Sequence, residues 1–190
     1  PQSSNDFGKN IIPNMLAAGE KLMTYRFSGY WKDVGTIESL WDANMDMLAP
    51  NRGIDLYSTE WPIYARTPIK PPHVTGPNAR ISHALVTGGC KVDGCVENSV
   101  LFHSVVVEEG AHVEYSILMP GTVIKAGAKV SYAILAENAV VEAGATVGAP
   151  PSDDPKWGIA VVASGVTIGE NATIAPSAMI REDVKGGEQA

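Results

Sequence analysis

Beyond residue 73, apolar and small residues repeat at a short, fixed interval. Residues 107–123, VEEGAHVEYSILMPGTV, align with residues 124–140, IKAGAKVSYAILAENAV, and seven of the seventeen positions are identical. Further along, an aliphatic residue recurs every six positions, at Val162, Ile168, Ile174 and Ile180. The fourth position after each of the first three is occupied by Val166, Ala172 and Ala178. Self-similarity at a fixed period indicates a repeat protein.

A six-residue step suits a chain that makes three short, flat strands in each turn of a coil. The aliphatic residue fills the axis, and the small residue lies where the backbone bends tightly. Each coil leaves an apolar edge open, so several coils must stack. Residues 73–181 are expected to form about six coils of roughly 17 to 18 residues each. An antiparallel sandwich does not explain why small residues recur at a fixed phase.

The alignment also makes three local predictions. Because glycine tolerates positive φ, four glycines are expected in corresponding turns: Gly110, Gly127, Gly144 and Gly165. The CKV sequence at residues 90–92 is expected in the phase of AHV at residues 111–113, after an insertion of about four residues. Residues 148–158, GAPPSDDPKWG, are predicted to form a surface loop in which Trp157 packs against a neighbour.

The first fifty residues have a mixed pattern of helix and strand. NDFGKNIIPNMLAAG predicts a helix with Asn5 or Asp6 as its cap and Gly19 as its stop, broken or delayed by Pro13. Residues 21–27, KLMTYRF, alternate as a short strand does.

A second helix is predicted from Ile37, with Thr36 as its cap and Pro50 as its end. Its apolar residues share one face: Ile37, Leu40, Trp41, Met45 and Leu48. Residues 51–72 carry four prolines without a sustained period, which is typical of a linker. We expect it to wrap a surface by Trp61, Ile63 and Tyr64.

Composition narrows the function classes. The chain has 190 residues, 45% of them apolar, with a net charge of −7, so nucleic acid and anionic membranes are disfavoured as partners. No apolar run approaches the roughly 20 residues that cross a bilayer, and a soluble cytoplasmic protein is expected. The two cysteines, Cys90 and Cys95, are interpreted as small buried residues rather than metal ligands.

The sequence GYWKDVGT places one carboxylate, Asp33, beside a turn that leads into the second helix. In one interpretation, Asp33 caps that helix or accepts from the amides of Gly35 and Thr36. In the other, the strand end and the free amides of the turn form a place for Mg²⁺ and a phosphate-bearing substrate, since magnesium usually takes only one or two carboxylates. Local pattern alone leaves both open.

GYWKDVGTIESLWDANMDML, with DFGKNIIP upstream and the six-residue repeat downstream, resembles the C-terminal part of bacterial glucose-1-phosphate adenylyltransferase. The resemblance implies a mainly β fold: a left-handed parallel β-helix (73–190) after a linker (51–72) and the remnant of an α/β nucleotidyltransferase domain (1–50). It also implies transfer of adenylyl from ATP to α-D-glucose 1-phosphate, giving ADP-glucose and pyrophosphate for glycogen synthesis.

Carried over by position, the resemblance makes Asp33 one of two carboxylates that bind Mg²⁺. Trp31 would line the pocket for glucose 1-phosphate, and Asp6 and Phe7 would lie near the same sugar. The family's glycine-rich nucleotide loop is not found in these residues, and the first residue is Pro1. We therefore expect a piece of a longer enzyme, inactive by itself. The β-helix would contribute regulation and contacts in a homotetramer or a hetero-oligomer with a related subunit.

Two other functions stay open. A hexapeptide acyltransferase would use a histidine as a base, and there are four candidates: His73, His83, His103 and His112. Of these, His112 takes the place of Lys129 in the next repeat, which predicts an outward position. A regulatory partner subunit without catalytic residues is the second alternative. The retained Asp33 favours the catalytic subunit over that partner.

Overall fold

The computed structural model describes residues 3–49, 53–65 and 68–190. The chain divides into two compact units, the first ending at Tyr30 and the second beginning at Trp31. The described residues contain no helix that is both long and apolar enough to span a bilayer.

The first unit contains a helix whose start is irregular. Asp6 caps it, since its carboxylate accepts from the backbone N–H of Lys9 (2.7 Å). A wide π-helical turn, Phe7–Ile11, comes first, and α1 follows at Ile12–Ala17 with Pro13 in its first turn. Gly19, at φ +73°, ends the helix. The interrupted helix, its Asp6 cap and its glycine stop are therefore confirmed.

The prediction of a strand at residues 21–27 is wrong. The segment pairs with no strand in the described part of the chain. Its alternating side chains have no sheet to face, and Met23 and Tyr25 are 81% and 89% exposed. A strand is defined by the partner that takes its backbone hydrogen bonds, and alternation along one segment does not supply that partner.

The second unit opens with α2, Ile37–Asp46. Thr36 Oγ1 accepts from Ser39 N–H (3.1 Å), and Ser39 Oγ accepts from Thr36 N–H (3.0 Å), which makes a reciprocal capping box. The predicted helix and its cap are confirmed. The helix ends at Asp46, and Pro50, its predicted stop, lies outside the described residues.

The remaining regular structure consists of short strands. In chain order they are β1 Val74–Thr75, β2 Arg80–Ser82, β3 Leu85–Val86, β4 Lys91–Val92, β5 Cys95–Glu97, β6 Val100–Leu101, β7 Val106–Val107, β8 His112–Glu114, β9 Ile117–Leu118, β10 Val123–Ile124, β11 Lys129–Ser131, β12 Ala133–Leu135, β13 Val140–Val141, β14 Thr146–Val147, β15 Ala160–Val162, β16 Thr167–Ile168, β17 Thr173–Ile174 and β18 Met179–Ile180.

These strands form three parallel sheets of six strands, in the orders β1-β4-β7-β10-β13-β16, β2-β5-β8-β11-β14-β17 and β3-β6-β9-β12-β15-β18. Each strand pairs with the strand three places along the chain, so the chain winds as a parallel β-solenoid of about six turns. Val123 pairs with both Val106 and Val140, which sets 17 residues to a coil. The predicted coil and the alignment of residues 107–123 with 124–140 are confirmed.

The phase predicted for CKV at residues 90–92 is wrong. Lys91 pairs with Val106, and it is Cys95 that pairs with His112. The coil here is therefore two residues shorter than its neighbours rather than four longer. All three sides of a coil share the same aliphatic spacing, so the sequence does not reveal to which side a short match belongs.

Aliphatic and small residues fill the axis of the solenoid. Val162, Ile168 and Ile174 are buried as predicted, with Ala172 fully buried where the chain bends. The coil between Val140 and Thr167, which pair with each other, accommodates the predicted loop at 148–158, most of it exposed.

Three corners of the solenoid take positive φ. Gly110, Gly127 and Gly144 share one corner, at φ 72°, 68° and 69°. Gly165, also at positive φ, was expected with them but lies at another corner, in the column of Gly121 and Asn138. The third corner carries His83, Asn98, Tyr115, Tyr132 and Ser177, all at positive φ.

Candidate functional site

The DVGT turn presents Asp33 to solvent at the start of the second unit. Its Oδ1 accepts from Gly35 N–H (3.0 Å), which closes a turn of the Asx type. The Thr36 amide donates to Ser39 instead. The prediction that Asp33 satisfies a turn amide is thus confirmed for Gly35, and the bond fixes the direction of the carboxylate.

The second carboxylate oxygen of Asp33 meets the requirements of one Mg²⁺ ligand. Within the described residues Oδ2 forms no hydrogen bond or ion pair. Carboxylate oxygens suit this hard cation, which keeps several waters and takes the rest of its ligands from substrate phosphates. No group of three acidic, histidine or cysteine side chains in the described residues forms a metal site. This part of the chain therefore offers one carboxylate ligand, not a complete cage.

The other predicted site residues fall into both units. Asp6 and Phe7 belong to the first unit, where Asp6 serves as a helix cap and Phe7 is 72% exposed. Trp31 belongs to the second unit with Asp33, and its ring is 76% exposed. The ring of Trp31 and that of Phe7 are open to a ligand, and their roles stay predictions.

Lys32 ties the turn to the far end of α2, a contact that sequence reasoning missed. Its Nζ lies 2.9 Å from Asp46 Oδ2 and 3.6 Å from Asp42 Oδ2. The two acids stand four apart on the helix, so they share one face. That spacing was the available signal, and it did not reveal that Lys32 folds back onto the helix.

The apolar face of α2 packs on the solenoid. Ile37, Leu40 and Met45 join Trp41 around the buried residues Ile117, Ile134 and Ile159. Four of the five residues of the predicted apolar stripe are thus confirmed on this face. Leu48, the fifth, lies beyond the end of the helix and is buried.

Trp41 makes the most specific contacts of that face. Its indole N–H donates to the Tyr115 carbonyl (2.7 Å). Its ring stacks on Tyr132, with centroids 5.7 Å apart and planes at 27°. Tyr132 in turn stacks on Tyr115 (4.7 Å, 12°) and meets the edge of Trp157 (5.5 Å). Burial raises the pKa of Tyr132, and the neighbouring Tyr115 and Glu114 add to the effect.

The candidate histidines for an acyltransferase have different surroundings. His83 has Nε2 2.8 Å from the Leu48 carbonyl and Nδ1 2.7 Å from Asn98 Oδ1, so it joins the end of the α2 segment to the solenoid. His112 pairs with Lys129 as predicted and lies 3.9 Å from Glu114. His103 Nδ1 is 3.4 Å from Ser104 Oγ, and His73 is exposed.

Both cysteines are free thiols. Cys90 is buried as predicted, and its Sγ donates to the Phe102 carbonyl (3.0 Å), whereas Cys95, which was also predicted to be buried, is only half-buried. Burial raises the pKa of Cys90, and it also raises that of Cys95, with Glu97 adding to the second shift. A raised pKa leaves the thiol protonated and unreactive at neutral pH, as a structural role requires.

Comparison with known families separates the same two parts of the chain as the sequence pattern does, the first fifty residues and the repeats. Residues 1–49 match the nucleotidyl transferase family, and residues 72–169 match the family described as GlmU-like, C-terminal hexapeptide.

Three curated relatives share the description glucose-1-phosphate adenylyltransferase. The protein of Clostridium perfringens (strain SM101 / Type A) is 58% identical over 113 residues, which are 60% of this chain and 29% of the relative. That of Clostridium novyi (strain NT) is 57% identical over 105 residues, 55% of this chain and 28% of the relative. That of Bacillus cereus (strain Q1) is 50% identical over 113 residues, which are 60% of this chain and 30% of the relative. The chain spans less than a third of these relatives.

Proposed function

Since this chain belongs to the GlmU-like, C-terminal hexapeptide family, we propose that it is the C-terminal part of a glucose-1-phosphate adenylyltransferase. The enzyme would convert ATP and α-D-glucose 1-phosphate to ADP-glucose and pyrophosphate, a step in glycogen synthesis. Identity of 50–58% to relatives of that description supports the proposal. The structural observation that carries it is the solvent-facing Asp33 carboxylate, held by Gly35 N–H at the mouth of a capped helix.

Asp33 is proposed as one of the two carboxylates that bind Mg²⁺. When bound, the ion would neutralise the charge that develops on the phosphates during transfer. Asp33 contributes a ligand whose direction is fixed before substrate arrives, because Oδ1 is engaged with Gly35 and Oδ2 is not. A ligand fixed in advance needs no reorganisation in the transition state.

Three residues are proposed to contact the sugar phosphate, as the resemblance implies. The exposed ring of Trp31 offers an apolar face to the sugar, and Asp6 and Phe7 are proposed near the same sugar. In the reaction, a phosphate oxygen of glucose 1-phosphate forms a bond to the α-phosphorus of ATP. The bond from that phosphorus to the oxygen that bridges it to the β-phosphate breaks in line, and pyrophosphate leaves. Positioning and charge stabilisation are the contributions of the protein.

By itself, the 190-residue chain is proposed to be inactive. It contains no G-x-G-x-R-L block, so no residues of the nucleotide loop are present among the 190. Residues 1–50 would then be the last part of the nucleotidyltransferase domain, followed by the linker at 51–72 and the solenoid. We place the protein in the cytoplasm, as expected of an enzyme whose substrates are ATP and a sugar phosphate.

The solenoid is proposed to assemble the enzyme as a homotetramer or as a hetero-oligomer with a related subunit. Val106, Val123 and Val140 form an outward row of half-buried aliphatic residues on one sheet, and flat apolar sheet faces favour association. Sedimentation velocity of this chain tests the assembly. At roughly 50 µM, even a weak assembly with a micromolar Kd would form, so a chain that stays monomeric there would contradict the proposal.

The direct test is product formation. The longer protein that contains this chain, incubated with ATP, glucose 1-phosphate and Mg²⁺, is expected to release pyrophosphate and form ADP-glucose, while the 190-residue chain forms none. A longer protein that folds, binds glucose 1-phosphate and yields no ADP-glucose would be the regulatory partner instead. Turnover by the 190 residues alone would contradict the proposed inactivity.

A further inference from the structure

We propose that Trp41 is a positioning residue for the Asp33 turn. At one corner of the solenoid, His83, Tyr115 and Tyr132 hold the α2 segment, which carries Trp41, in place. We call these three residues the α2 seat. The proposal rests on the proposed function, because it assigns the solenoid a part in placing the Mg²⁺ ligand. The DVGT sequence itself does not suggest that the solenoid helps to place this ligand.

The backbone of the α2 seat is unusual for two of its three residues, Tyr115 and Tyr132. His83, Tyr115 and Tyr132 have φ of 50°, 45° and 50°. Left-handed backbone is unfavourable for most side chains with a Cβ, including tyrosine, whereas glycine adopts it readily and asparagine, aspartate and histidine adopt it more often than other residues. At the other two corners the chain mostly uses the favourable residues, for example Gly121, Asn138, Gly144 and Asn171.

Bulky residues appear at this corner where the α2 segment touches it. Tyr115 offers its carbonyl and Tyr132 its ring to Trp41, and His83 bonds the Leu48 carbonyl. The same column also contains two small residues, Asn98 and Ser177. Asn98 bonds His83, and Ser177 bonds the Lys156 carbonyl. Unfavourable backbone that persists at one place is a reason to look for a function there. The contacts identify that function as seating α2.

Asp33 is connected to α2 at both ends of the helix. On the N-terminal side, the Gly35 bond and the Thr36–Ser39 capping box join the turn to the first helical residues. On the C-terminal side, Lys32, the neighbour of Asp33, reaches Asp46 (2.9 Å). The turn and helix therefore move as one piece, so the contacts that hold α2 on the solenoid also hold the Asp33 carboxylate.

A displaced ligand would slow the reaction without unfolding the protein. Misplacement of a reacting group by about 1 Å can cost roughly 100-fold in rate. Removing the indole of Trp41 leaves the buried axis of the solenoid untouched, because the core cluster along that axis does not include Trp41. Catalysis and solenoid stability should therefore separate.

The test is made in the longer protein with Trp41→Ala, and with Trp61→Ala as its matched control. Trp61 is also a tryptophan of the second unit. The prediction that the linker packs on a surface through Trp61, Ile63 and Tyr64 is wrong, because these side chains are 86%, 63% and 90% exposed. Trp41→Ala should lower kcat about 10- to 100-fold and raise the Mg²⁺ concentration needed for half-maximal rate. Deuterium uptake at residues 37–46 should rise, while the melting of the solenoid changes little. Trp61→Ala should match wild type in kcat, in the Mg²⁺ concentration for half-maximal rate, in deuterium uptake and in melting.

A second pair of variants approaches the seat from the solenoid. Tyr132→Asn keeps a residue that accepts positive φ but removes the stacked ring, so it should reproduce the loss in kcat and the increased uptake. Tyr132→Phe keeps the ring and should stay near wild type. Combining Tyr132→Asn with Trp41→Ala should add little to either single loss, because both remove the same contact.

The outcomes separate the two proposals. If wild type makes ADP-glucose and Trp41→Ala loosens α2 with kcat unchanged, the positioning role is wrong and the proposed function stands. If uptake at residues 37–46 does not rise in Trp41→Ala or Tyr132→Asn, the α2 seat is wrong. If wild type makes no ADP-glucose, the proposed function and the positioning role fall together.

Discussion

The two units of this chain use apolar residues in opposite ways. In the solenoid, Leu135 and Val141 are completely buried, whereas in the first unit Phe7, Met23 and Tyr25 are 72%, 81% and 89% exposed. Both units have apolar residues in regular patterns. The difference shows that a pattern folds by itself only when the same stretch of chain also supplies the surface that covers it.

The solenoid supplies that surface through its own repeats. Each strand finds a parallel partner one coil away, as Val123 does with Val106 and Val140. The segment at residues 21–27 has no partner of this kind among the described residues. The proposed function accounts for its exposure, since those side chains would pack within the rest of a nucleotidyltransferase domain.

The largest effect on stability should come from truncating an axial residue. Leu135→Ala in this chain should lower the free energy of unfolding by about 3–5 kcal/mol, through lost burial and the cavity left behind. Met23→Ala removes a comparable apolar side chain from the first unit and should change it by less than about 0.5 kcal/mol. Urea unfolding followed by circular dichroism measures both. Equal losses would show that the first unit has a core after all.

A smaller loss is expected at two glycines of the solenoid that have positive φ, and it should depend on the space available. A Cβ at Gly148 would lie 2.1 Å from the Ser131 carbonyl oxygen, whereas one at Gly127 would meet nothing within 4 Å. Both have positive φ, which costs an alanine about 1–2 kcal/mol. Gly148→Ala should therefore cost about 2–3 kcal/mol and Gly127→Ala less.

Gly19→Ala gives the same comparison in the first unit, where φ is also positive and the space is open. Since that unit has no buried residue among its described helices, the substitution should leave the main unfolding transition unchanged. A main transition that shifts as much for Gly19→Ala as for Gly127→Ala would mean that the two units unfold together.

The smallest effect should be a difference in alkaline stability at the α2 seat. Because burial raises the pKa of Tyr132, the folded state keeps the phenol proton longer than the unfolded state does. The resulting stability is complete below the pKa of tyrosine in the unfolded chain, about 10, and is lost as pH rises through the raised pKa of the folded state. Tyr132→Phe should therefore lose less stability than wild type between about pH 9 and 11, as measured by urea midpoints. A decline as steep as that of wild type would contradict this.

Tyr25→Phe is the control for that titration. Tyr25 carries the same phenol in the first unit and is 89% exposed. Its substitution should leave the alkaline decline as steep as in wild type.

The sequence predicted those parts of the fold whose stabilising contacts are local or repeated. Thr36 directly precedes the apolar stripe of the helix, so its role as the cap could be inferred from the helix pattern. The axial positions of Ile168 and Ile174 followed from the six-residue step. Contacts between distant residues could not be inferred in this way: Trp41 meets Tyr115 across 74 positions, and no periodicity relates them.

The candidate site was predicted with the same limits. The turn at Asp33 and its bond to Gly35 are local, and the sequence raised both. The positive φ of Tyr115 and Tyr132 was not predicted, because tyrosine is an unfavourable residue for such a corner. Phase errors at Cys90 and Gly165 arose because the three sides of a coil share one spacing.

Asp33 in the longer protein gives the most direct test of the central claim, because Asp154 provides a matched control. Asp154 Oδ1 accepts from the N–H two residues ahead, Lys156 (2.9 Å), as Asp33 Oδ1 does from Gly35. Asp33→Asn and Asp154→Asn therefore remove a charge from the same kind of turn. With saturating Mg²⁺, ATP and glucose 1-phosphate, Asp33→Asn should lower the rate of ADP-glucose formation by about 100-fold or more, and Asp154→Asn should leave it unchanged. An Asp33→Asn enzyme as active as Asp154→Asn would return Asp33 to a purely structural role in its turn.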